Sequence, residues 1–204
     1  MIYLLITTSL IERNFEERKR RYLNGITTAI RRFQELTVPY KIIILENNGR
    51  RPTFLDEFGI DVFYTNNNRL QTPNIGNKEL ADLHECIRQY QIQEDDFIIK
   101  LSGRYIIQEQ SEFMDALIKH RDTKAAIVQY GSFNAIQYER IRDCVTGLIG
   151  MQCRYMKQIQ FAQPFGCIEW NWADVVLSIP EEAVHRLHSL GLAICPGPDS
   201  YRLI

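Results

Sequence analysis

Residues 94–105 read Glu-Asp-Asp-Phe-Ile-Ile-Lys-Leu-Ser-Gly-Arg-Tyr, an apolar run with acids before it and a Ser-Gly pair after it. Short runs of β-branched and aromatic residues closed by turn residues are typical of strands inside a parallel sheet, where both faces are covered. In open α/β sheets, ligands bind at the carboxyl ends of such strands. This stretch therefore predicts a buried strand with chemistry at its end, the alternative being a plain strand followed by a tight turn. The residues at that end are Lys100, Ser102, Gly103, Arg104 and Tyr105.

The composition is that of an ordinary globular protein with one core. The chain has 204 residues, of which 45% are hydrophobic and 24% are charged, and that length is enough to bury one sizeable core. The formal net charge of −1 gives no basic excess to attract nucleic acid or an anionic membrane, so neither is expected as a partner. The five cysteines are scattered without a Cys-x-x-Cys pair. Their pattern indicates neither a disulfide framework nor a zinc site and favours a reducing, cytoplasmic setting.

The N-terminal segment is predicted to be the first strand. Its apolar run, residues 2–6, is too short for a membrane span, and no basic residue precedes it as in a signal peptide. We therefore expect a protein without a membrane span.

Strands and helices alternate along the first half of the chain. Apolar runs predict strands at residues 2–6, 40–45, 61–65 and 96–101, and helical periodicity or capping signals predict helices at 11–36, 50–59 and 74–92. This alternation predicts a single-domain α/β fold with a mostly parallel, twisted central sheet flanked by helices. Polar side chains follow each of the first three strands, and they would meet at one edge of the sheet.

The second half is less regular. We expect a helix at residues 111–120, a strand at 124–130, short apolar stretches at 135–138 and 144–149, and a helix at 151–161. A loop over 162–172 contains Glu169 and both tryptophans. A last helix is predicted from Pro180 to Gly191, followed by a tail that could add an edge strand.

The order of these elements, together with residues 94–105, resembles the GT-A type of nucleotide-diphospho-sugar glycosyltransferase, a Rossmann-related fold. In particular it resembles small members encoded by large DNA viruses and some bacteria, which would place a viral protein in the host cytoplasm. The resemblance covers nearly the whole chain. It implies one glycosyltransferase-like domain over 1–204, with a nucleotide-sugar-binding half at 1–107 and an acceptor-side half at 108–204.

In that family the ends of the first three strands hold the base and ribose of the nucleotide. The resemblance also includes Asn74-Ile75-Gly76, which opens a helix. It implies nucleotide binding by residues that close the early strands or lie on that helix: Thr7, Thr8, Ser9, Glu46, Asn66, Asn67 and Lys78.

The family's Asp-x-Asp motif, which holds a divalent cation on the diphosphate, is replaced here by Leu101-Ser102-Gly103. Asp95 and Asp96 are no substitute, because they begin the strand and would lie about 15 Å away at the opposite edge. The Mn²⁺ or Mg²⁺ that the resemblance implies as a cofactor therefore lacks its usual ligands.

Sugar transfer requires the negative charge that develops on the leaving diphosphate to be stabilised. Lys78, Lys100 and Arg104 are candidates, and Arg104 is preferred because its planar fork suits phosphate oxygens. The alternative for Arg104 is a surface ion pair. Lys100, Ser102 and Gly103 are further predicted to contact the donor or acceptor.

Glu169 resembles the family's acidic residue at the start of a helix near the acceptor. In an inverting reaction it would take the proton of the acceptor hydroxyl, whereas in a retaining one it would orient a substrate. Trp170 or Trp172 could stack on a sugar face; the alternative is that both pack in the core and Glu169 caps the helix.

These patterns lead to the hypothesis of a glycosyltransferase. It would move a hexose or deoxyhexose from a nucleotide sugar, with a uridine diphosphate sugar as the first expectation, to a glycan, glycoprotein or other hydroxyl acceptor. One alternative is a sugar nucleotidyltransferase, which would need a Gly-rich, basic loop after the first strand that residues 7–15 lack. The other is a catalytically degenerate fold that binds a sugar or a partner.

Overall fold

The computed structural model describes residues 1–131, 143–197 and 200–204, so the apolar stretch predicted at 135–138 lies outside the described residues. The strands are β1 (Ile2–Thr8), β2 (Tyr40–Glu46), β3 (Asp61–Tyr64), β4 (Phe97–Ser102), β5 (Ile106–Ile107), β6 (Ala126–Val128), β7 (Leu148–Gln152), β8 (Val184–Arg186), β9 (Leu192–Gly197) and β10 (Ser200–Leu203). The helices are α1 (Phe15–Gln34), α2 (Ile75–Gln89), α3 (Glu112–His120), α4 (Cys153–Met156) and α5 (Ile168–Leu177).

A seven-stranded sheet in the order β3-β2-β1-β4-β7-β6-β8 forms the centre of the fold. The first four strands in this order are parallel, β7 is antiparallel to both neighbours, and β6 and β8 are parallel. A small antiparallel sheet, β10-β9-β5, lies apart from it. The predicted single-domain α/β fold with a mostly parallel central sheet is confirmed, with a mixed half that the sequence did not indicate.

Helices cover both faces of the sheet. The side chains of β1 therefore alternate between two hydrophobic clusters, one on each face. All seven residues of β1 are buried. Leu4 packs with residues of α1 and α3, whereas Leu5 packs with residues of α2, α4 and α5. A central strand covered on both faces explains why its sequence is continuously apolar.

Two predicted helices are wrong, the helix predicted at 50–59 is only a 3₁₀ turn at Phe54–Phe58, and α5 begins inside the loop predicted over 162–172. Residues 151–161 hold the end of β7 and the short helix α4, and residues 180–191 hold a 3₁₀ turn, Glu181–Ala183, followed by β8. β7 pairs with β4 and β6, and β8 pairs with β6. Pairing between segments distant in sequence therefore decides these elements, and local periodicity does not contain that information.

Helix α1 rests directly on the turn that follows β4. A Cβ atom at Gly25 would lie 2.3 Å from the carbonyl oxygen of Gly103, and one at Gly103 would lie 2.9 Å from the side chain of Ile6. Only glycine permits this approach of backbone to backbone. The contact fixes the turn that carries Arg104.

Candidate active site

A pocket of about 490 Å³ opens at the carboxyl end of β4. Its walls come from the end of β4, the start of α2, the residues before β7, and the start of α5. Segments distant in sequence thus converge on one cavity, as expected at the carboxyl edge of an open α/β sheet. Five residues predicted for the site line it: Lys100, Ser102, Arg104, Glu169 and Trp172.

Lys100 places a buried cation on the pocket wall. The residue is 1% exposed, and its Nζ donates to the carbonyl oxygen of Thr146 at 2.8 Å and to Ser102 Oγ at 3.0 Å. Its ion-pair partner is Glu79 Oε2, also at 3.0 Å, and Glu79 accepts a further hydrogen bond from Thr7 Oγ1 at 3.1 Å. This network holds the ammonium group in a fixed orientation, because three partners share it.

The residues at this strand end do not fit a divalent cation. The ammonium group of Lys100 would repel it, and the described part of the chain contains no group of three or more His, Cys, Asp or Glu side chains that could hold a metal ion. Asp95 pairs with Arg154, and Asp96 accepts from the N-terminal amine at 2.7 Å. Both acids therefore lie at the opposite edge of the sheet, as the sequence predicted.

Glu169 lies half-buried in the first turn of α5, with its carboxylate on the pocket. The thiol of Cys167 donates to its Oε2 at 3.0 Å. Burial, together with that carboxylate, raises the pKa of Cys167 to about 11, so the thiol keeps its proton. Burial and the negative charge of Glu169 likewise raise the pKa of Asp143 to about 6. Asp143 is not among the residues that line the pocket, whereas Glu79, which sequence reasoning missed, is one of them.

The two tryptophans have different environments. Trp172 is 3% exposed, belongs to the core, and reaches the pocket wall. Trp170 is 52% exposed. The alternative that both are core residues therefore holds for Trp172 alone.

Glu46 lies beneath the edge where β1 and β2 end. Glu46 is 0% exposed. Its carboxylate accepts from Thr8 Oγ1 at 2.8 Å and from the amide of Leu10 at 3.1 Å. Asn48 Nδ2 donates to it at 2.8 Å, and Arg51 lies 3.6 Å away. Thr7 and Thr8 are also buried. These predicted nucleotide contacts join the strand ends to each other, so any contact with a ligand stays a prediction.

A chain of polar side chains runs over this buried layer. Asn48 Nδ2 donates to Ser9 Oγ at 3.2 Å, Asn68 Nδ2 donates to Asn48 Oδ1 at 2.6 Å, and Lys78 Nζ donates to the carbonyl oxygen of Asn68 at 2.6 Å. Sequence reasoning omitted Asn48 from the site, although it follows β2 directly. The chain connects the ends of β1, β2 and β3 to α2.

Asn66 and Asn67 follow β3 at the same edge. Asn66 is exposed and lies against Gly49, whose φ of +83° favours glycine. Asn67 Nδ2 donates to Asp82 Oδ1 at 2.9 Å and to Glu85 Oε2 at 3.1 Å. Burial raises the pKa of Asp82 to about 6.

Arg104 belongs to the same edge. The amide of Gly103 donates to the carbonyl oxygen of Thr7 at 3.0 Å, which ties the turn to β1. Burial raises the pKa of Tyr22, and the positive charge of Arg104 opposes that rise. The Tyr22 hydroxyl accepts from the amide of Ser9 at 2.9 Å. Ser9, Asn66 and Arg104, which follow parallel strands, therefore share one edge of the sheet.

No family model and no curated protein matches this chain. Among solved structures, the chain is similar to a candidate nucleotide-diphospho-sugar transferase from Desulfovibrio desulfuricans G20, with 9% identity, 91% of this chain and 79% of that chain covered, and a TM-score of 0.50. It is also similar to CMP:2-keto-3-deoxy-manno-octonic acid synthetase complexed with CTP, with 9% identity, 91% and 88% coverage, and a TM-score of 0.51.

At this identity the likeness shows the fold alone, which this chain shares with a candidate nucleotide-diphospho-sugar transferase and with a synthetase. Neither neighbour is described as viral, so the likeness to viral members stays a prediction, as does the division into halves at residue 107. None of the helices in the described ranges is both long and apolar enough to cross a membrane.

Proposed function

We propose that the protein is a glycosyltransferase that moves a hexose or deoxyhexose from a nucleotide sugar, first of all a uridine diphosphate sugar, to a hydroxyl acceptor on a glycan. One observation carries this proposal. A single pocket joins two basic side chains, Lys100 and Arg104, to the carboxylate of Glu169. Sugar transfer requires both charges, because a phosphate leaves from one side of the sugar and a proton leaves the acceptor on the other.

The basic side chains would act on the leaving group. As the bond between the sugar's C1 and the phosphate oxygen breaks, its electron pair goes to the nucleoside diphosphate. The ammonium of Lys100 is already oriented by Ser102, Thr146 and Glu79, so it would act as a fixed positive charge that needs little reorganisation when the charge on the phosphate develops. The guanidinium of Arg104 suits two phosphate oxygens at once. Lys100 and Arg104 would thus take the part that a metal ion plays elsewhere.

The carboxylate of Glu169 would act on the acceptor. As the acceptor oxygen forms its bond to C1 with inversion, its proton passes to Glu169. The Cys167 thiol engages one carboxylate oxygen, which fixes the orientation of the group. If configuration is retained, Glu169 orients the acceptor instead, and the anomeric configuration of the product distinguishes the two.

The nucleotide would lie along the polar chain at the ends of the first three strands. Ser9, Asn66, Asn67 and Lys78 are the candidates for contact with base and ribose, because they lie nearer the surface than Glu46. The buried Thr7, Thr8 and Glu46 would hold these strand ends in place.

A sugar nucleotidyltransferase is the second candidate, because one structural neighbour is a synthetase complexed with CTP. Such an enzyme needs free backbone amides after the first strand to hold a triphosphate. Here the amide of Ser9 donates to the Tyr22 hydroxyl and that of Leu10 donates to Glu46. With these amides engaged, the site supports sugar transfer better.

Product analysis tests the proposal. The protein is incubated with uridine, guanosine, thymidine and cytidine nucleotide sugars, and separately with nucleoside triphosphates plus sugar phosphates. Release of the nucleoside diphosphate from a uridine, guanosine or thymidine diphosphate sugar, or of CMP from a cytidine monophosphate sugar, supports glycosyl transfer. Release of pyrophosphate overturns it in favour of the nucleotidyltransferase. Absence of turnover and of any thermal shift with nucleotides overturns both and favours a protein that binds without catalysis.

The substitution Lys100→Met tests the role of the buried cation. We expect release of the nucleoside diphosphate to fall about 10²–10³-fold, the usual cost of removing one group that stabilises transition-state charge. Lys41→Met is the matched control, because Lys41 pairs with Asp61 near the opposite end of the strands. Equal rates in both variants, with both folded by thermal unfolding, would contradict the role of Lys100.

A further inference from the structure

The segment that leads into α5 contributes residues to the pocket wall and also carries exposed aromatic side chains. Phe161 is 54% exposed, Phe165 is 98% exposed and Trp170 is 52% exposed. We call residues 158–170 the aromatic rim. Large apolar side chains that are exposed in a segment lining a cavity indicate a binding surface, since they contribute little to the core.

The backbone of the aromatic rim is fastened to the rest of the protein. The Asn77 side chain exchanges two hydrogen bonds with the backbone of Ala162, both 2.8 Å long. Asn74 Nδ2 donates to the carbonyl oxygen of Gly166 at 2.9 Å, and Asn171 Nδ2 donates to that of Gln160 at 2.8 Å. A backbone held at these points presents its aromatic side chains in one arrangement, which lowers the entropy cost of binding.

The polar side chains of the rim are mainly uncharged amides. Gln158, Gln160 and Gln163 are all exposed, and the segment 158–172 contains no Lys or Arg. Phosphates, acidic peptides and anionic membranes require basic side chains, which this surface lacks. Aromatic faces can pack on the apolar C–H face of a sugar ring while amides bond its hydroxyl groups. The chemistry of the rim therefore fits an uncharged carbohydrate.

The rim is continuous with the pocket. Gly166 and Cys167 line the pocket and directly follow Phe165, and Glu169 directly precedes Trp170. A sugar whose hydroxyl reaches Glu169 would thus have its next units over the rim, outside the cavity.

We propose that the aromatic rim binds a neutral oligosaccharide, so that the acceptor is an uncharged glycan chain and not a single sugar or a lipid phosphate. That this oligosaccharide is the acceptor rests on the proposed function. Binding of the oligosaccharide to the rim does not, and it can be measured without any donor.

Tryptophan fluorescence gives a direct test, because the chain has two tryptophans and Trp172 is buried. Iodide should quench Trp170 alone. The probes are short chains of glucose, mannose, galactose or N-acetylglucosamine, each compared with its monosaccharide. We expect one series to protect Trp170 from iodide, with longer chains binding more tightly, and Trp170→Phe to remove the quenchable signal.

Phe165→Ala should weaken binding of that series about tenfold, as for an aromatic anchor in an interface. The free energy of unfolding of this variant should equal that of the unaltered protein, since the side chain of Phe165 is almost wholly exposed. Ile118→Ala is the control, because Ile118 is an exposed apolar side chain, 54% exposed, that lies on α3, outside the rim. It should bind like the unaltered protein.

Two results would overturn the inference: no neutral chain protects Trp170, or vesicles containing anionic phospholipid protect it and neutral chains do not. Donor turnover without oligosaccharide binding would overturn this inference and leave the proposed function standing. Oligosaccharide binding without donor turnover would support the rim as a glycan-binding surface and count against the proposed function. The two failures are therefore distinguishable.

Discussion

Glu46 and Glu169 both lie at the carboxyl edge of the sheet, but their carboxylates have opposite surroundings. Glu46 is fully buried and accepts from a hydroxyl, a backbone amide and an asparagine side chain. Glu169 faces the pocket with the thiol of Cys167 as its hydrogen-bond donor. A buried carboxylate supplied with donors stabilises the fold, whereas one that faces a cavity keeps lone pairs for a proton or a substrate. The difference fits the two roles that we propose, support of the strand ends for Glu46 and action on the acceptor for Glu169.

The largest expected effect is on stability, from Glu46→Ala. The change leaves the buried amide of Leu10 without its acceptor and takes one acceptor from Thr8 and from Asn48, which keep the carbonyl oxygen of Leu45 and Ser9 Oγ. We expect the free energy of unfolding to fall by about 4–5 kcal/mol, measured by urea titration. Glu94→Ala, at the opposite end of β4 and exposed, is the control. A loss below about 1 kcal/mol would show that the two glutamates do not differ in this way.

Glu169→Gln should give the reverse result. We expect transfer to fall about 10²–10³-fold, because the amide cannot take the acceptor's proton, while the unfolding temperature stays the same. Rates of nucleoside diphosphate release with acceptor present provide the measurement, with Glu94→Gln as the control. Full activity of Glu169→Gln would remove Glu169 from the mechanism.

Asp82 sharpens the comparison as a buried carboxylate that keeps its proton at mildly acidic pH. Its pKa is about 6, against an ordinary value of 3.8. Between about pH 4 and 6 the folded protein holds a proton that the unfolded chain has released, so stability falls as pH rises, by about 3 kcal/mol in all. Asp82→Asn should remove this part of the pH dependence. The free energy of unfolding of Asp82→Asn is subtracted from that of the unaltered protein at pH 4.5 and again at pH 7. A difference that is the same at both pH values would contradict the raised pKa of Asp82.

The smallest expected effect is that of metal removal. If Lys100 and Arg104 take the place of a cation, EDTA should change the rate of nucleoside diphosphate release by less than about twofold. Manganese added back should not raise it. A loss of more than about tenfold, restored by manganese, would show that the pocket uses a metal ion after all.

Most of the first half of the fold could be predicted from the sequence because its strands and its long helices have strong local signals; the helix expected at 50–59 is only a 3₁₀ turn. β4 was expected at 96–101 and occupies Phe97–Ser102, and α1 lies within the predicted 11–36. β7 and β8 have only five and three residues. Their length is not the reason, since β3 has four residues and was predicted; β7 and β8 are decided by pairing with β4 and β6, and that pairing cannot be read from neighbours in sequence.

The site shows the same division. Lys100, Arg104 and Glu169 could be proposed because they follow a strand or resemble a family position. Glu79 could not, since it is one of several acids on α2 and only the fold brings it to Lys100. The general signal was available: a lysine inside a predicted buried strand requires an acidic partner.

Gly25 carries a final consequence. Because α1 touches the backbone beside Arg104 without an intervening side chain, the geometry of the reaction depends on a helix position that no substrate meets. A mutational scan scored by activity would rank Gly25 beside the pocket residues. Such a scan alone would then assign to chemistry a residue whose whole contribution is to be small.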